Sequence, residues 1–412
     1  MLGIGVHGTL GEGAGAGVVA DARGPVPPAE RLVERDAWVV LASVEGLGPV
    51  GFGSLLRRFG DGRTILDVAR GREGAARLVD PVDPVHYVDA TIAARIVEAA
   101  ADAEALLDRV RDAELAVLTL EDTAAFPARL LSIELPPHLL FVRGDPAALA
   151  RPHAVAVVGT RRPTESGRRT AARIAAALAG CGASVVSGLA MGVDGAAHAA
   201  CVAAGVPTVA VLGSGHARLF PRAHAGLAER IVEGGGAVVS EFAPDTHATH
   251  GTFPRRNRLI SGLSDATVVV EAPIRSGALI TASWALEQGR ECFLVPGPID
   301  LPTSAGCLAF LRSNEGAAHL VASIPDLVED LGLAGSASGR MAANVAELGL
   351  VERALVGELA RGATTTDDLV RRTGQPVATI LGALTLLEMR GLVVVAYGRH
   401  RLAGPLAGSE VA

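Results

Sequence analysis

Short, unbroken apolar runs alternate with longer segments of helical periodicity between His153 and Val295. Val155–Val158, Ala183–Ser187, Thr208–Leu212, Ala237–Ser240, Thr267–Glu271 and Cys292–Val295 read as strands. Ser166–Ala179, Asp194–Ala204, Arg222–Glu233 and Leu279–Gln288 read as helices between them. Strands that are apolar on both faces and alternate with helices predict an α/β core built on a parallel, Rossmann-like sheet. Upstream, Asp36–Val44 and Gly53–Phe59 read as helices, and Ala90–Ala116 as one long Ala-rich helix closing a helical domain. Leu115–Leu120 reads as a strand, and Pro136–Gly144 leads into the core. Downstream, Val351–Ala360, Thr366–Thr373 and Pro376–Arg390 read as three helices, with Leu392–Ala396 and Arg399–Leu402 as a hairpin. Three helices and a hairpin make a winged-helix pattern.

These patterns divide the chain into a flexible tail (1–30), a helical domain (31–114), the sheet core (115–333), a linker (334–344), the winged helix (345–404) and a second tail (405–412). The first tail is rich in Gly, Ala and Pro without periodicity, as a disordered segment or a misplaced start would be. The small residues of Ala334–Arg340 mark the linker. Within the helical domain, Val44-Glu45-Gly46-Leu47-Gly48-Pro49-Val50 sets a G-x-G turn between two helices. Such a turn belongs to a helix-hairpin-helix, SAM-like unit that grips DNA phosphate through backbone amides. It equally suits a compact helical bundle.

Composition narrows the chemistry. The chain has no lysine, so all its positive charge is arginine. That excludes a Schiff-base lysine, a P-loop lysine and a lysine general base. A net charge of −7 argues against a generally basic nucleic-acid binder and confines any such partner to a local patch. Cys181, Cys201, Cys292 and Cys307 are far apart with no C-x-x-C, which disfavours a zinc finger or a disulfide framework and points to a reducing, cytoplasmic setting. No apolar run is long enough to span a bilayer, so no membrane partner is expected.

The densest charge lies in Phe253-Pro254-Arg255-Arg256-Asn257-Arg258, just after a strand, where α/β sheets place their ligands. Arginine forks bind phosphate bidentately and stay charged at any working pH. Other strand ends carry small polar loops. Gly159-Thr160-Arg161-Arg162 follows the first core strand, but Arg161 stands where G-x-G-x-x-G needs its second glycine, so NAD is disfavoured. Ser187-Gly188-Leu189-Ala190-Met191-Gly192 follows the second, with Asp194 placed to cap the next helix and His198 one turn into it as a packed histidine. Ser276 and Gly277 surround a further helix start, another anion site in form. These ends offer no nucleophile–base–acid set, so neither a catalytic residue nor a metal or cofactor site is assigned. Arginines without such a set suit holding a polyanion better than cleaving it.

The motifs G-T-R-R-P-T, S-G-L-A-M-G-V-D-G-A-A-H, F-P-R-R-N-R-L-I-S-G-L-S and V-V-V-E-A-P-I-R-S-G-A-L-I-T-A stand in order between Leu115 and Leu331. Together they resemble the DNA-processing protein A family (DprA, also called Smf). The resemblance implies an extended Rossmann core that binds single-stranded DNA, dimerises, and hands incoming DNA to the RecA recombinase during natural transformation. It also implies a DNA pocket lined by Gly159, Thr160, Arg161, Arg162, Ser187, Gly188, Met191, Gly192, Arg255, Arg256, Asn257, Arg258, Ser276 and Gly277. The family's G-[ST]-N-x-L-I stretch is replaced here by Ala305-Gly306-Cys307-Leu308-Ala309-Phe310. A rival reading is a nucleotide-processing enzyme of the lysine-decarboxylase-like phosphoribohydrolase type, but its P-G-G-x-G-T loop is absent where Pro273–Gly277 stands.

The third helix of the winged-helix pattern brings no arginine before Arg390, which is thin cover for a duplex. A chain truncated after Gly335 is therefore expected to keep most of its affinity for labelled poly-dT. A folded truncation that loses nearly all binding would make the tail the principal DNA reader.

Overall fold

The computed structural model describes residues 32–79, 88–333, 348–362, 365–389, 392–396 and 399–402. Both tails, the linker and Arg390 lie outside them. The described chain opens with helices α1 (Glu34–Ala42), α2 (Pro49–Phe59), α3 (Gly62–Arg70), α4 (Gly74–Leu78), α5 (Ala90–Ala101) and α6 (Ala103–Asp112). The single long helix expected over Ala90–Ala116 is two, broken at Asp102, whose φ of −100° and ψ of 13° leave the helix. The break lets Ile96 of one half and Leu106, Leu107 and Val110 of the other face a shared core with Trp38, Leu41 and Phe52. Helices α3 and α4 go beyond the sequence reading. Asp61 caps α3 by accepting from Thr64 N at 2.7 Å. This core runs on through Leu139 and Phe141 into the sheet, so the helical unit and the sheet share apolar contacts.

The sheet contains β1 (Ala116–Thr119), β2 (Leu139–Gly144), β3 (Ala154–Val158), β4 (Ser184–Ser187), β5 (Thr208–Val211), β6 (Ala237–Ser240), β7 (Ala266–Val269), β8 (Glu291–Leu294) and β9 (His319–Leu320). Its order is β1-β2-β6-β5-β4-β3-β7-β8-β9. From β6 to β9 every pairing is parallel, as expected, but β1 with β2 and β2 with β6 are antiparallel. The connection from β1 to β2 carries the short α7 (Ala128–Leu131). The remaining core helices are α8 (Glu165–Gly180), α9 (Val193–Ala203), α10 (Ala225–Glu233), α11 (Thr252–Gly262), α12 (Gly277–Glu287), α13 (Pro302–Ser313) and α14 (Ile324–Asp330). Alternate residues of β3 serve opposite faces. Ala154, Ala156 and Val158 pack with Leu259 and Ile260 of α11, whereas Val155 and Val157 pack with Ile174 and Leu178 of α8.

Successive strands run from β3 through β4 and β5 to β6 in one direction, while β7 lies on the other side of β3. The connections after β3 and β7 therefore diverge, and a crevice opens at their carboxyl ends. Beyond the core, α15 (Leu350–Ala360), α16 (Thr366–Thr373) and α17 (Val377–Met389) pack around Leu355, Leu369, Ile380 and Leu384. Strands β10 (Val393–Ala396) and β11 (Arg399–Leu402) pair antiparallel beside them, as the winged-helix pattern predicts.

One buried histidine, His198, and two half-buried ones, His138 and His216, bear on acid stability. His138 stacks on Phe52 at 4.4 Å, and burial, then Arg258 and Arg57, pushes it down to about 4. Burial pushes His198 down to about 3 and His216 down to about 4, each against an opposing backbone hydrogen bond. All three stay neutral in the fold but protonate near 6.5 when unfolded. Their stabilisation is complete above pH 6.5 and is lost as pH falls towards 4, by up to about 1.4 kcal/mol per pH unit for each. Asp194, whose carboxyl burial pushes up, works in the opposite direction. Urea midpoints are expected to fall between pH 6.5 and 4, less steeply in His198→Gln. A flat profile would contradict neutral burial of these rings.

Candidate nucleic-acid interface

Four loops meet at the carboxyl edge of the sheet. After β3, Thr160 N donates to Glu271 O at 2.6 Å. Thr164 caps α8, its Oγ1 accepting from Gly167 N at 3.0 Å and donating to a Glu271 carboxylate oxygen at 2.6 Å. The other carboxylate oxygen takes Thr164 N at 2.9 Å. Glu271, at the end of β7, thus clamps the β3 loop across the crevice. Gly167 must lack a side chain here, because a Cβ would lie 2.3 Å from the Glu271 carboxyl carbon. Arg161 and Arg162 project outward from this clamped loop and are exposed.

The loop after β4 is set by different contacts. Ser187 is fully buried and its hydroxyl donates to Val157 O at 2.6 Å, so it stitches strands together and is not presented to a ligand. Asp194 does not cap α9. The cap position is Gly192, and the Asp194 carboxylate instead accepts from Gly188 N at 3.1 Å and Ala190 N at 3.4 Å. It holds the preceding loop, because the helix begins with its own carboxylate turned back under the chain. His198 is packed as expected, with Nδ1 2.9 Å from Thr208 Oγ1. The outward residue of the loop is Met191, which is 46 % exposed.

Helix α11 carries the arginine cluster, and the structure gives its members separate roles. Arg256 is buried and donates to the carbonyls of Gly188 and Val211, at the ends of β4 and β5. Burial pulls its guanidinium down to about 10, with Asp194 opposing. Arg258 is buried against Glu241. Arg255 is half-exposed, ion-paired with Glu241 at 3.7 Å and set over the Phe242 ring. Asn257 is buried and donates to Gly277 O at 3.0 Å, joining α11 to the start of α12. There Ser276 caps α12, accepting from Ala278 N at 3.3 Å, and Gly277 is exposed. The sequence treats Arg255, Arg256 and Arg258 alike as phosphate forks. Two are instead interior struts, because α11 lies against the sheet along this side.

Two aromatic residues complete the surface and were not singled out by the sequence reading. The Arg161 guanidinium lies over Phe253, 5.0 Å from the ring centroid, and Phe253 lies 6.0 Å from Phe220. Phe220 is 49 % exposed and is flanked by exposed Arg218 and Arg222. The signal was present as a repeated Phe-Pro-Arg, at 220–222 and 253–255, in a chain only 3 % aromatic. Its two copies are far apart in the chain and meet only through the fold.

The G-x-G turn lies elsewhere. Val44–Pro49 lines a cleft of about 680 Å³ whose opposite wall includes Glu241, Asp245 and Arg255. Arg58 donates to Leu78 O and Val79 O, so it closes the helical unit on itself. Cys307 is buried on α13, and burial pushes its thiol up to about 11.

Residues 116–332 match the family model for DNA recombination-mediator protein A, and residues 340–399 that of the DprA winged helix domain. The chain is 38 % identical to Protein Smf of Escherichia coli over 285 residues, covering 68 % of this chain and 75 % of that protein. It is 38 % identical to DNA processing protein DprA of Bacillus subtilis over 206 residues, 50 % of this chain and 68 % of that protein. The X-ray structure of DNA processing protein A from Streptococcus pneumoniae aligns with a TM-score of 0.58 at 29 % identity, covering 72 % of this chain and 98 % of that one.

The loops approach so closely that they test the geometry directly. Gly192 has φ of +90°, and a Cβ there would lie 2.4 Å from Thr160 O. Gly192→Ala is expected to cost roughly 1–3 kcal/mol, read as a lower urea midpoint. Unchanged stability would mean that the loops have slack.

Proposed function

Because the chain belongs to the DNA recombination-mediator protein A family, we propose that it binds single-stranded DNA on the carboxyl edge of its sheet, protects it, and passes it to the RecA recombinase during natural transformation. The observation that carries the binding is the contiguous surface of Arg161, from the loop after β3, with Phe253 and Phe220, which gather near the end of β5. Arginine neutralises phosphate, and exposed rings take unpaired bases, each stack contributing about 1–3 kcal/mol whatever the base. A duplex hides its base faces, so the same surface favours a single strand. Arg161, Arg162, Arg218 and Arg222 form no ion pair among the described residues, which leaves their charge available. This local patch is how a chain of net charge −7 would attract a polyanion.

Holding rather than cutting is supported by what the polar groups at this edge already do. The Ser187 hydroxyl, the Asp194 carboxylate and the His198 ring are each engaged in packing contacts. We therefore read the protein as a binder rather than an enzyme. Family membership, taken with the resemblance of its motifs, supports the homodimer, the RecA partner and the cytoplasmic setting.

Fluorescence anisotropy with labelled poly-dT tests the binding surface. Phe253→Ala is expected to weaken binding about 5- to 150-fold, the equivalent of one lost stack. Arg161→Ala should reduce the slope of log K against log salt by roughly 0.7, the share of one single-strand phosphate contact. Equal affinity for single and double strands, together with an unchanged Phe253→Ala, would remove the stacking surface from the proposal. Labelled nucleoside monophosphates and NAD, run beside poly-dT, separate this reading from the phosphoribohydrolase alternative.

A further inference from the structure

We infer that Arg256 and Asp194 are positioning residues of the single-strand site, gripping one residue of the β4 loop between them and touching no phosphate. The inference rests on the DNA-binding reading above and reassigns roles within it. The gripped residue is Gly188, held through the peptide groups on either side of it. Its carbonyl accepts from Arg256 Nη1, and its N–H donates to Asp194 at 3.1 Å. Both gripping side chains are at least nine-tenths buried, with Asp194 and Arg256 each 5 % exposed. A Cβ on Gly188 would stand 2.3 Å from Arg256 Nη1, so the backbone and the guanidinium are in direct contact with no space between them.

The grip extends in both directions. Arg256 also donates to Val211 O, at the end of β5, and its Nε donates to Asn257 Oδ1 at 3.2 Å. Asn257 in turn donates to Gly277 O at the start of α12. One guanidinium thus connects the ends of β4 and β5 to α11 and, through Asn257, to the α12 loop. A planar fork with donors on three nitrogens can do this, whereas an ammonium on a flexible stem cannot. The buried opposite charges of Asp194 and Arg256 offset each other's desolvation. Arg161 is near enough for its charge to act on both members of the pair. With Asp194 balancing Arg256, the neighbouring Arg161 remains free to face outward over Phe253.

The test compares full-length Arg256→Lys, Asp194→Asn and Arg161→Ala proteins, each below its own unfolding midpoint. Two measurements are made: the salt dependence of poly-dT binding, and amide hydrogen exchange at residues 188–190. Arg256→Lys is expected to weaken binding at least ten-fold with the wild-type salt slope, and to speed exchange at 188–190. Asp194→Asn keeps the shape and an acceptor for Gly188 N–H. It should show a smaller loss, the same slope and faster exchange. Arg161→Ala should lower the slope and leave exchange at 188–190 unchanged. A slope lowered by Arg256→Lys as by Arg161→Ala would make Arg256 a phosphate ligand and overturn the inference. So would wild-type exchange at 188–190 in both variants of the pair. If Arg256→Lys does not fold, Asp194→Asn carries the same comparison. If the wild type fails to bind poly-dT, the DNA reading falls, while the exchange measurement still decides whether the pair holds the loop.

Discussion

The candidate site depends on backbone meeting backbone where the connections after β3, β4 and β7 converge. Gly159 has room for no Cβ because Val193 lies 2.6 Å from where one would sit, and Gly192 has none because of Thr160 O. Glycine is the residue that permits such approach, at the cost of greater chain entropy to lose on folding. The fold recovers order through buried carboxylates: Glu271 takes three contacts from the β3 loop through its side chain and carbonyl, and Asp194 takes two amides of the β4 loop. These polar contacts hold the loops in place, and in the β4 loop Leu189, fully buried against Ala210 and Leu212, adds an apolar anchor. Arginine and phenylalanine can then be displayed on a surface whose shape is already set.

This division explains what was legible in the sequence. The six core strands from β3 to β8 were legible because each is a short, mostly buried apolar run, whereas the exposed β9 and the strand in Pro136–Gly144 were not read as strands. Helix α3 was legible but passed over: Asp61 caps it, and Ile65, Leu66 and Ala69 stand at helical spacing on its buried face. The reversal of β1 and β2 was not legible, since strand direction is decided by which edge a strand reaches. At the site, the positions were legible from the motifs but several roles were not. An arginine reads the same in sequence whether it meets solvent or two carbonyls. Only tertiary placement separates Arg161 from Arg256.

The absence of lysine sharpens that ambiguity, because arginine must also do structural work in this chain. Arg129 shows the extreme case. Its guanidinium meets both carboxylate oxygens of Asp265, at 2.6 and 2.8 Å, and the carbonyls of Arg151 and Pro152, at 2.9 and 2.6 Å. It binds α7 to the segment before β3 and to the turn before β7. Arg143 makes a similar two-pronged contact with Glu229. Density of positive charge along the chain therefore says little about where a polyanion sits. Freedom from carboxylates and proximity to a partly exposed ring are better guides, and they select Arg161 over the richer cluster on α11.

The same criterion weighs the winged helix against the core. Helix α17, the one that this motif sets in a major groove, carries Glu388 as its single charge over Val377–Met389. Its exposed positions include Leu381, Leu386 and Met389, the last 80 % exposed. On the helix before it, Arg371 is ion-paired with Asp368, and Arg372 with Glu358 of α15. A duplex rewards neutralised phosphates, each released counterion adding to affinity. Cations already paired with carboxylates repay little of that, and apolar side chains repay none. In the core, by contrast, Arg161 is unpaired among the described residues, lies on a ring, and stands beside a loop that buried polar contacts hold in place. On the proposed function, the free energy for gripping a nucleic acid is concentrated at the carboxyl edge of the sheet, where buried polar contacts already order the loops.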